Sequence, residues 1–292
     1  MQYQIIHTTE YHYHHSVSLC HNIAKLVLRN TDAQHCKKVQ VKIIPQPDVM
    51  NEYEDFFGNK VMYFAIQQEH KHLKVTVHSQ VEKKPDASLK MNLYGNISWE
   101  ETKKQLMQPG PENFDARQYI PVTDITTATE EIYNYTLRSF TPNRSIFEAS
   151  YDLTKRIYKD FQFKPGFTTI ATPLGEVMKE RKGVCQDFAH LAIACIRSVG
   201  LPARYMSGYL ETLAPEGKEK MVGVDASHAW FSVFIPGTGW VEFDPTNNVI
   251  PGDQHLTIGW GRDYTDIAPL KGVILSSGPH QLHVSVDVRR IG

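Results

Sequence analysis

Gly183-Val184-Cys185-Gln186-Asp187-Phe188-Ala189-His190-Leu191 reads as a loop that delivers one cysteine onto the first turn of a helix. Behind Cys185 the apolar residues Phe188, Leu191, Ala192, Cys195, Ile196 and Val199 recur at steps of three and four, the period of a helix face. Gly200 stands where a helix-ending glycine belongs, and Pro202 just beyond it blocks continuation. A thiol at a helix N-terminus meets unpaired N–H groups and the positive end of the dipole. Both favour the thiolate, which is the nucleophilic form. Downstream, Ser227-His228-Ala229-Trp230 and Glu242-Phe243-Asp244-Pro245-Thr246 flank a predicted β-hairpin: strand 231–235, a Pro-Gly-Thr-Gly turn at 236–239, and strand 240–243. This hairpin makes His228 and Asp244 cross-strand neighbours. A cysteine on a helix tip, facing a histidine oriented by a carboxylate, is the arrangement that acyl transfer requires.

Outward from that stretch, helices come first. Ser98 to Leu106 admits one short helix. Thr127-Ala-Thr-Glu130 and Ser145-Ile-Phe-Glu148 both fit the capping box, and Thr172-Pro173 opens a further helix with proline at its first position. After Pro202 the pattern turns to strands at 203–210, in the hairpin, and near Val273–Leu275 and Leu282–Val288. Helices followed by a sheet is an α+β layout.

Residues 1–87 differ. Alternation of period two runs through 3–8, 23–28, 39–44, 61–66 and 73–81, with turn signals between, and predicts an all-β, sandwich-like N-terminal domain. A looser segment, 88–121, connects it to the core at 122–292. The histidines of the first domain, His12 and His14 among them, are read as surface or strand-pairing residues. No carboxylate or cysteine stands at ligand spacing with them, so no metal ligand is assigned.

At 292 residues the chain is long enough for two domains, and a net charge of −1 argues against a nucleic-acid or anionic-membrane footprint. No apolar run approaches a transmembrane length, and the first ten residues lack the build of a signal peptide, so a cytoplasmic location is expected. The four cysteines (Cys20, Cys36, Cys185, Cys195) are too few and scattered for a disulfide framework. No cofactor is implied, and the spaced Asp/Asn run of a calcium loop is absent. Oligomeric state is not encoded in readable form.

Several motifs together resemble the bacterial branch of the transglutaminase-like superfamily: Gly183-Val-Cys-Gln-Asp-Phe-Ala-His190, Gly200-Leu-Pro-Ala-Arg-Tyr205, Ser227-His-Ala-Trp230, Gly239-Trp-Val-Glu-Phe-Asp-Pro-Thr246, Gly261-Arg-Asp-Tyr264 and Pro269-Leu-Lys-Gly272. Asp55-Phe-Phe-Gly-Asn59 is similar to the β domain that precedes the core in that branch. The resemblance implies a papain-like α+β core with Cys185 as nucleophile, His228 as base and Asp244 as orienter. It also implies a cysteine peptidase or amidase acting on a peptide or protein amide through a thioester, with a glutamine-directed acyltransferase as the alternative and a non-catalytic binding module behind both. The Cys185 N–H is the expected first oxyanion donor, and Gln162 the candidate second. Asp187 is expected to face away from the thiol, bonded to backbone or to Arg204 or Arg262. Gln186 and His190 are read as supporting residues. Trp230 and Tyr264 either line the cleft or pack, and Arg262 with Asp263 is expected to brace the site as an ion pair.

Overall fold

The computed structural model describes residues 1–84, 96–212 and 226–291. The expected boundary at 87/88 lies outside the described residues.

Two antiparallel four-stranded sheets form the sandwich. The first runs β14 (His280–Arg290), β1 (Gln2–Val17), β6 (His70–Lys83), β3 (Gln34–Ile44). The second runs β13 (Leu270–Leu275), β2 (Leu19–Ala24), β5 (Lys60–Ile66), β4 (Val49–Glu54). Alternation in β1 turns Tyr3, Ile5, His7, Thr9 and Tyr13 inward and leaves Glu10 and His12 on the outer face. Tyr13, Val17, Leu73, Val75 and Val77 from one sheet meet Cys20, Ala24, Met62, Phe64 and Ile66 from the other in a common core.

The last two strands depart from the sequence reading, which placed them in the core at 122–292. β14 pairs with β1 from Tyr3↔Arg290 to Tyr13↔His280, and β13 pairs with β2 from Leu270↔Ala24 to Leu275↔Leu19. Period two identifies a strand without naming its partner, so this return of the chain is a tertiary fact.

Between these parts lie the helices α1 (Trp99–Leu106), α2 (Pro111–Arg117), α3 (Glu130–Leu137), α4 (Ile146–Asp160), α5 (Leu174–Glu180) and α6 (Cys185–Ser198). Ser98 and Ser145 cap α1 and α4, accepting from the Glu101 and Glu148 N–H groups. The cap of α3 is Thr129, which accepts from Ile132 N–H, rather than Thr127, whose hydroxyl donates back to the Thr123 carbonyl. Pro173 is the N-cap of α5 rather than its first residue, so the helix starts one position later than expected. α6 is buried all round from Asp187 to Arg197, with Gly200 at φ 79° closing it. It lies against β9 (Ala203–Leu210) and β10 (Ala226–Ile235), with α3, α4 and α5 on its other sides. Arg197, inside this helix, donates to the carbonyls of Tyr119, Ala203 and Arg262 and to the Thr126 hydroxyl.

The core sheet has the order β11 (Gly239–Phe243), β10, β9, β12 (His255–Gly261). Its β10–β11 hairpin runs from Phe231↔Phe243 to Ile235↔Gly239, as the sequence predicts. β12 is an edge strand, and an edge leaves backbone groups unpaired. Here side-chain amides from the N-terminal part cover it. Gln34 donates to the Thr257 carbonyl (2.8 Å) and accepts from its N–H (2.9 Å). Asn59, fully buried, donates to the Trp260 carbonyl (2.8 Å) and accepts from its N–H (3.0 Å). Lys83 donates to the His255 carbonyl. A Cβ on Gly259 would lie 2.2 Å from Asn59 Oδ1, so glycine is what lets that amide approach.

Candidate active site

Cys185 is the first residue of α6, half-buried, and its N–H has no partner within the helix turn it begins. β8 (Lys182–Gly183) leads into it and pairs in parallel with β7 (Gln162–Phe163). Asp187 folds back over this entry, its Oδ2 accepting from Val184 N–H (2.8 Å) and from the Thr168 hydroxyl (2.6 Å). The carboxylate bonds backbone, as expected, and neither Arg204 nor Arg262 is among its partners. Burial raises its pKa against those two hydrogen bonds. A Cβ on Gly183 would sit 2.9 Å from Asp187 Oδ2, which explains the glycine two residues before the cysteine.

His228 lies on β10 and Asp244 immediately after β11. Their Nε2···Oδ2 distance is 2.8 Å, with both side chains buried. Asp244 is completely enclosed and surrounded by donors. Oδ1 accepts from the N–H groups of Thr246 (2.9 Å) and Asn247 (3.2 Å), and Oδ2 accepts from the Asn247 amide (2.7 Å) and from His255 Nε2 (3.0 Å). Burial favours the neutral acid, yet these donors outweigh it and hold the carboxyl far below its usual range. For His228 burial opposes the cation, and hydrogen bonds to Asp244 and to the Cys185 thiol overcome it, so its pKa is pushed up to about 10. Because Asp244 occupies Nε2, the Nδ1 edge is the one left for the thiol. The three residues singled out in the sequence are therefore brought together.

Trp230 forms one wall. Its ring stacks on His228 at 6.0 Å and meets His255 edge-on at 5.3 Å, while its indole N–H donates to Glu242 (2.7 Å). It is fully buried, so of the two readings left open, packing is the observed one. Gly208 makes room for it, since a Cβ there would lie 2.6 Å from the indole. Gln162 is exposed on β7 and Gln186 is half-buried on the first turn of α6; neither side chain hydrogen-bonds a described residue. Tyr264 donates its N–H to His190 Nε2 (3.1 Å) and meets Tyr205 edge-on at 6.3 Å. Burial pushes His190 down to about 4, so it is a neutral acceptor stacked on Tyr205.

Arg262 does not pair with Asp263. It binds Asp266 through Nε (2.8 Å) and Nη2 (3.0 Å), while Asp263 accepts from Thr265. A helical turn between them makes the residue four positions on the geometric partner. Arg262 lines a cavity of about 530 Å³ with Lys25, Asp55, Phe57 and Gln118, and no triad residue is in its wall.

His255 and Asn247 were not legible in advance. Asn247 carries the weak signal of an Asx-rich turn, Asp244-Pro-Thr-Asn-Asn248. His255 arrives from the edge strand, and no spacing in the sequence links it to Asp244. His228, Asp244 and His255 each offer a ligand atom within 4.8 Å of the others, but at 2.8 and 3.0 Å the imidazole–carboxylate contacts are hydrogen bonds.

Residues 3–82 match the model of the bacterial transglutaminase-like N-terminal region, and residues 126–245 match that of the transglutaminase-like superfamily. The uncharacterized protein Rv2569c of Mycobacterium tuberculosis is 38% identical over 296 residues, covering 98% of this chain and 92% of its own. The uncharacterized protein ML0607 of Mycobacterium leprae is 31% identical over 292 residues, covering 99% and 98%. Over 72 residues, 24% of this chain and 11% of the relative, the chain is 36% identical to a protein-glutamine gamma-glutamyltransferase of Pseudomonas aeruginosa. A structure described as a candidate cysteine protease of Cytophaga hutchinsonii shares the fold, with a TM-score of 0.75 at 21% identity over 100% of this chain and 92% of that one. The helix-tip cysteine beside a histidine–carboxylate pair, the β domain ahead of it and these full-length relatives lead to one assignment: the chain belongs to the transglutaminase-like superfamily.

Proposed function

We propose that this protein is a cysteine-dependent amide-bond hydrolase acting on peptide or protein amides through a Cys185–His228–Asp244 triad. The observation that carries the reading is His228, hydrogen-bonded through Nε2 to Asp244 at 2.8 Å with the Cys185 thiol as its other neighbour, and with its cationic form favoured. An imidazolium beside the sulfur stabilises the thiolate. The thiolate sulfur attacks the amide carbonyl carbon, and the oxygen takes up negative charge facing the free N–H of Cys185. Collapse breaks the C–N bond, and the leaving amine takes the proton from His228. The thioester that remains is attacked by water, whose proton returns to His228, and the thiolate departs from a carboxylic acid product. Asp244 fixes the ring with Nε2 toward itself throughout.

A second reading is favoured by the similarity to the Pseudomonas glutamyltransferase: the same thioester resolved by an amine instead of water. The test is incubation with a peptide library, with and without a primary amine, followed by mass spectrometry. New carboxyl termini that are lost in Cys185→Ala support hydrolysis. Amine adducts alone replace it with transamidation. Slow, His228-independent alkylation of Cys185 by iodoacetamide overturns both and leaves a binding module.

A further inference from the structure

We propose that Glu10, His12 and His72, on the outer face of the first sandwich sheet, form a site for a divalent transition-metal ion, with zinc the leading occupant. The sequence offers no such spacing, because His72 is far from the other two along the chain; register creates it. In the β14–β1–β6 ladder, His12 stands opposite His72 and Glu10 stands opposite Lys74 and His283. Side chains two apart on one strand share a face, so Glu10 and His12 project together with His72.

Glu10 Oε2 lies 3.7 Å from His12 Nε2 and 3.7 Å from His72 Nε2, and all three donor atoms fall within 4.8 Å of one another. Those separations exceed a hydrogen bond. They are close to the spacing of about 3.4 Å that a tetrahedral ion with bonds of about 2.0–2.1 Å sets between its ligands. Among the described residues His72 Nε2 is buried within this cluster with no hydrogen-bond partner, Glu10 Oε2 standing 3.7 Å from it. The two imidazoles are stacked at 4.5 Å, side by side on the same face of the sheet.

The surrounding charge fits a ligand role for the carboxylate. Lys74 Nζ holds Glu10 Oε1 at 2.5 Å, which leaves Oε2 free and fixes its direction, as outer partners of metal ligands do. Lys74 also keeps the Glu10 carboxyl below its ordinary range. His283, on the far side, has its ring 5.8 Å from that of His12; water or His283 completes the fourth position. Two imidazoles and one carboxylate suit zinc, and copper(II) and nickel(II) should bind as well.

The test uses the full chain, stripped with a chelator and titrated calorimetrically with zinc chloride at pH 7.5, in a Cys185→Ala background that removes the half-buried thiol at the helix tip. One equivalent should bind at micromolar affinity or tighter, with a rise in melting temperature. Glu10→Gln and His72→Ala should each weaken binding at least about tenfold, and His14→Ala should leave it unchanged. At pH 5.5 the affinity should fall, because protonated imidazoles cannot ligate. Cobalt(II) should give the intense visible bands of a four-coordinate site. Millimolar binding, or binding indifferent to Glu10→Gln and His72→Ala, overturns the proposal.

Discussion

Asn59→Ala addresses how the sandwich is joined to the core. The amide of Asn59 satisfies both backbone groups of Trp260 and accepts from Arg29 Nη1 at 3.1 Å, while donating to Asp55 as well. Truncation strips the Trp260 N–H and C=O together; Arg29 retains the Phe57 carbonyl. At about 1–3 kcal/mol for each buried group left unpaired, two groups come to about 2–6 kcal/mol. The expectation is about 3 kcal/mol, since water entering a seam recovers part of the loss. That corresponds to a fall of roughly 6–12 °C in melting temperature for a chain of this size. Urea unfolding of wild type and variant measures it directly. Gly259→Ala supplies an independent arm, because its Cβ would collide with the same Oδ1 at 2.2 Å. In the double variant the new methyl occupies space the amide has vacated, so the two losses should be clearly less than additive. A loss below about 1 kcal/mol for Asn59→Ala, or strict additivity in the cycle, would refute the view that this amide closes the β12 edge.

Other expectations concern the site. Imidazole nitrogens followed by NMR should show His228 titrating near 10 and His190 near 4, and both near 6.5 would be the contrary result. Since the His228 pKa is raised, its stabilisation should be complete below about pH 6.5 and vanish as pH climbs through about 10, whereas that of Asp244 should vanish only as pH falls below the usual carboxylate range. His255→Phe removes one donor from a buried carboxylate and should cost about 1.5–3 kcal/mol in urea unfolding at pH 7; a change under about 0.5 kcal/mol would make that contact incidental. Gly183→Ala should force Asp187 off the Val184 N–H, costing about 1–3 kcal/mol and slowing alkylation of Cys185, so wild-type labelling kinetics would argue against the proposed role of the close approach.

Much of the site was readable from the chain because its signals are local. The α6 period, Gly200, the turn of the hairpin and the sandwich strands each involve neighbours within a few residues. Cys185, His228 and Asp244 fall together because those local elements leave few ways to arrange them. The largest of the parts that escaped are long-range. His255 reaches Asp244 only after β12 takes its place at the sheet edge, and β12 depends on Gln34 and Asn59 from the other end of the chain. Asp55-Phe-Phe-Gly-Asn59 was recognisable as a motif, but its physical meaning needed the fold: Asp55 accepts from the N–H groups of Phe57 and Asn59, shaping the turn that presents the Asn59 amide. The cap of α3 was misplaced for a different reason. Thr126, Thr127 and Thr129 are chemically equivalent there, and contacts to Thr123 decide which hydroxyl remains for the helix.

The pairing of β14 with β1 bears on how the polypeptide matures. During translation β1 leaves the ribosome well before β14, so the stretch Tyr3–Tyr13 must wait, one flank bare, while the intervening chain is made. Such a bare flank invites strand addition from another nascent chain. Removing β13 and β14 should accordingly yield insoluble protein even though cysteine, histidine and aspartate all remain, and any functional dissection of this molecule has to keep these strands with β1 and β2.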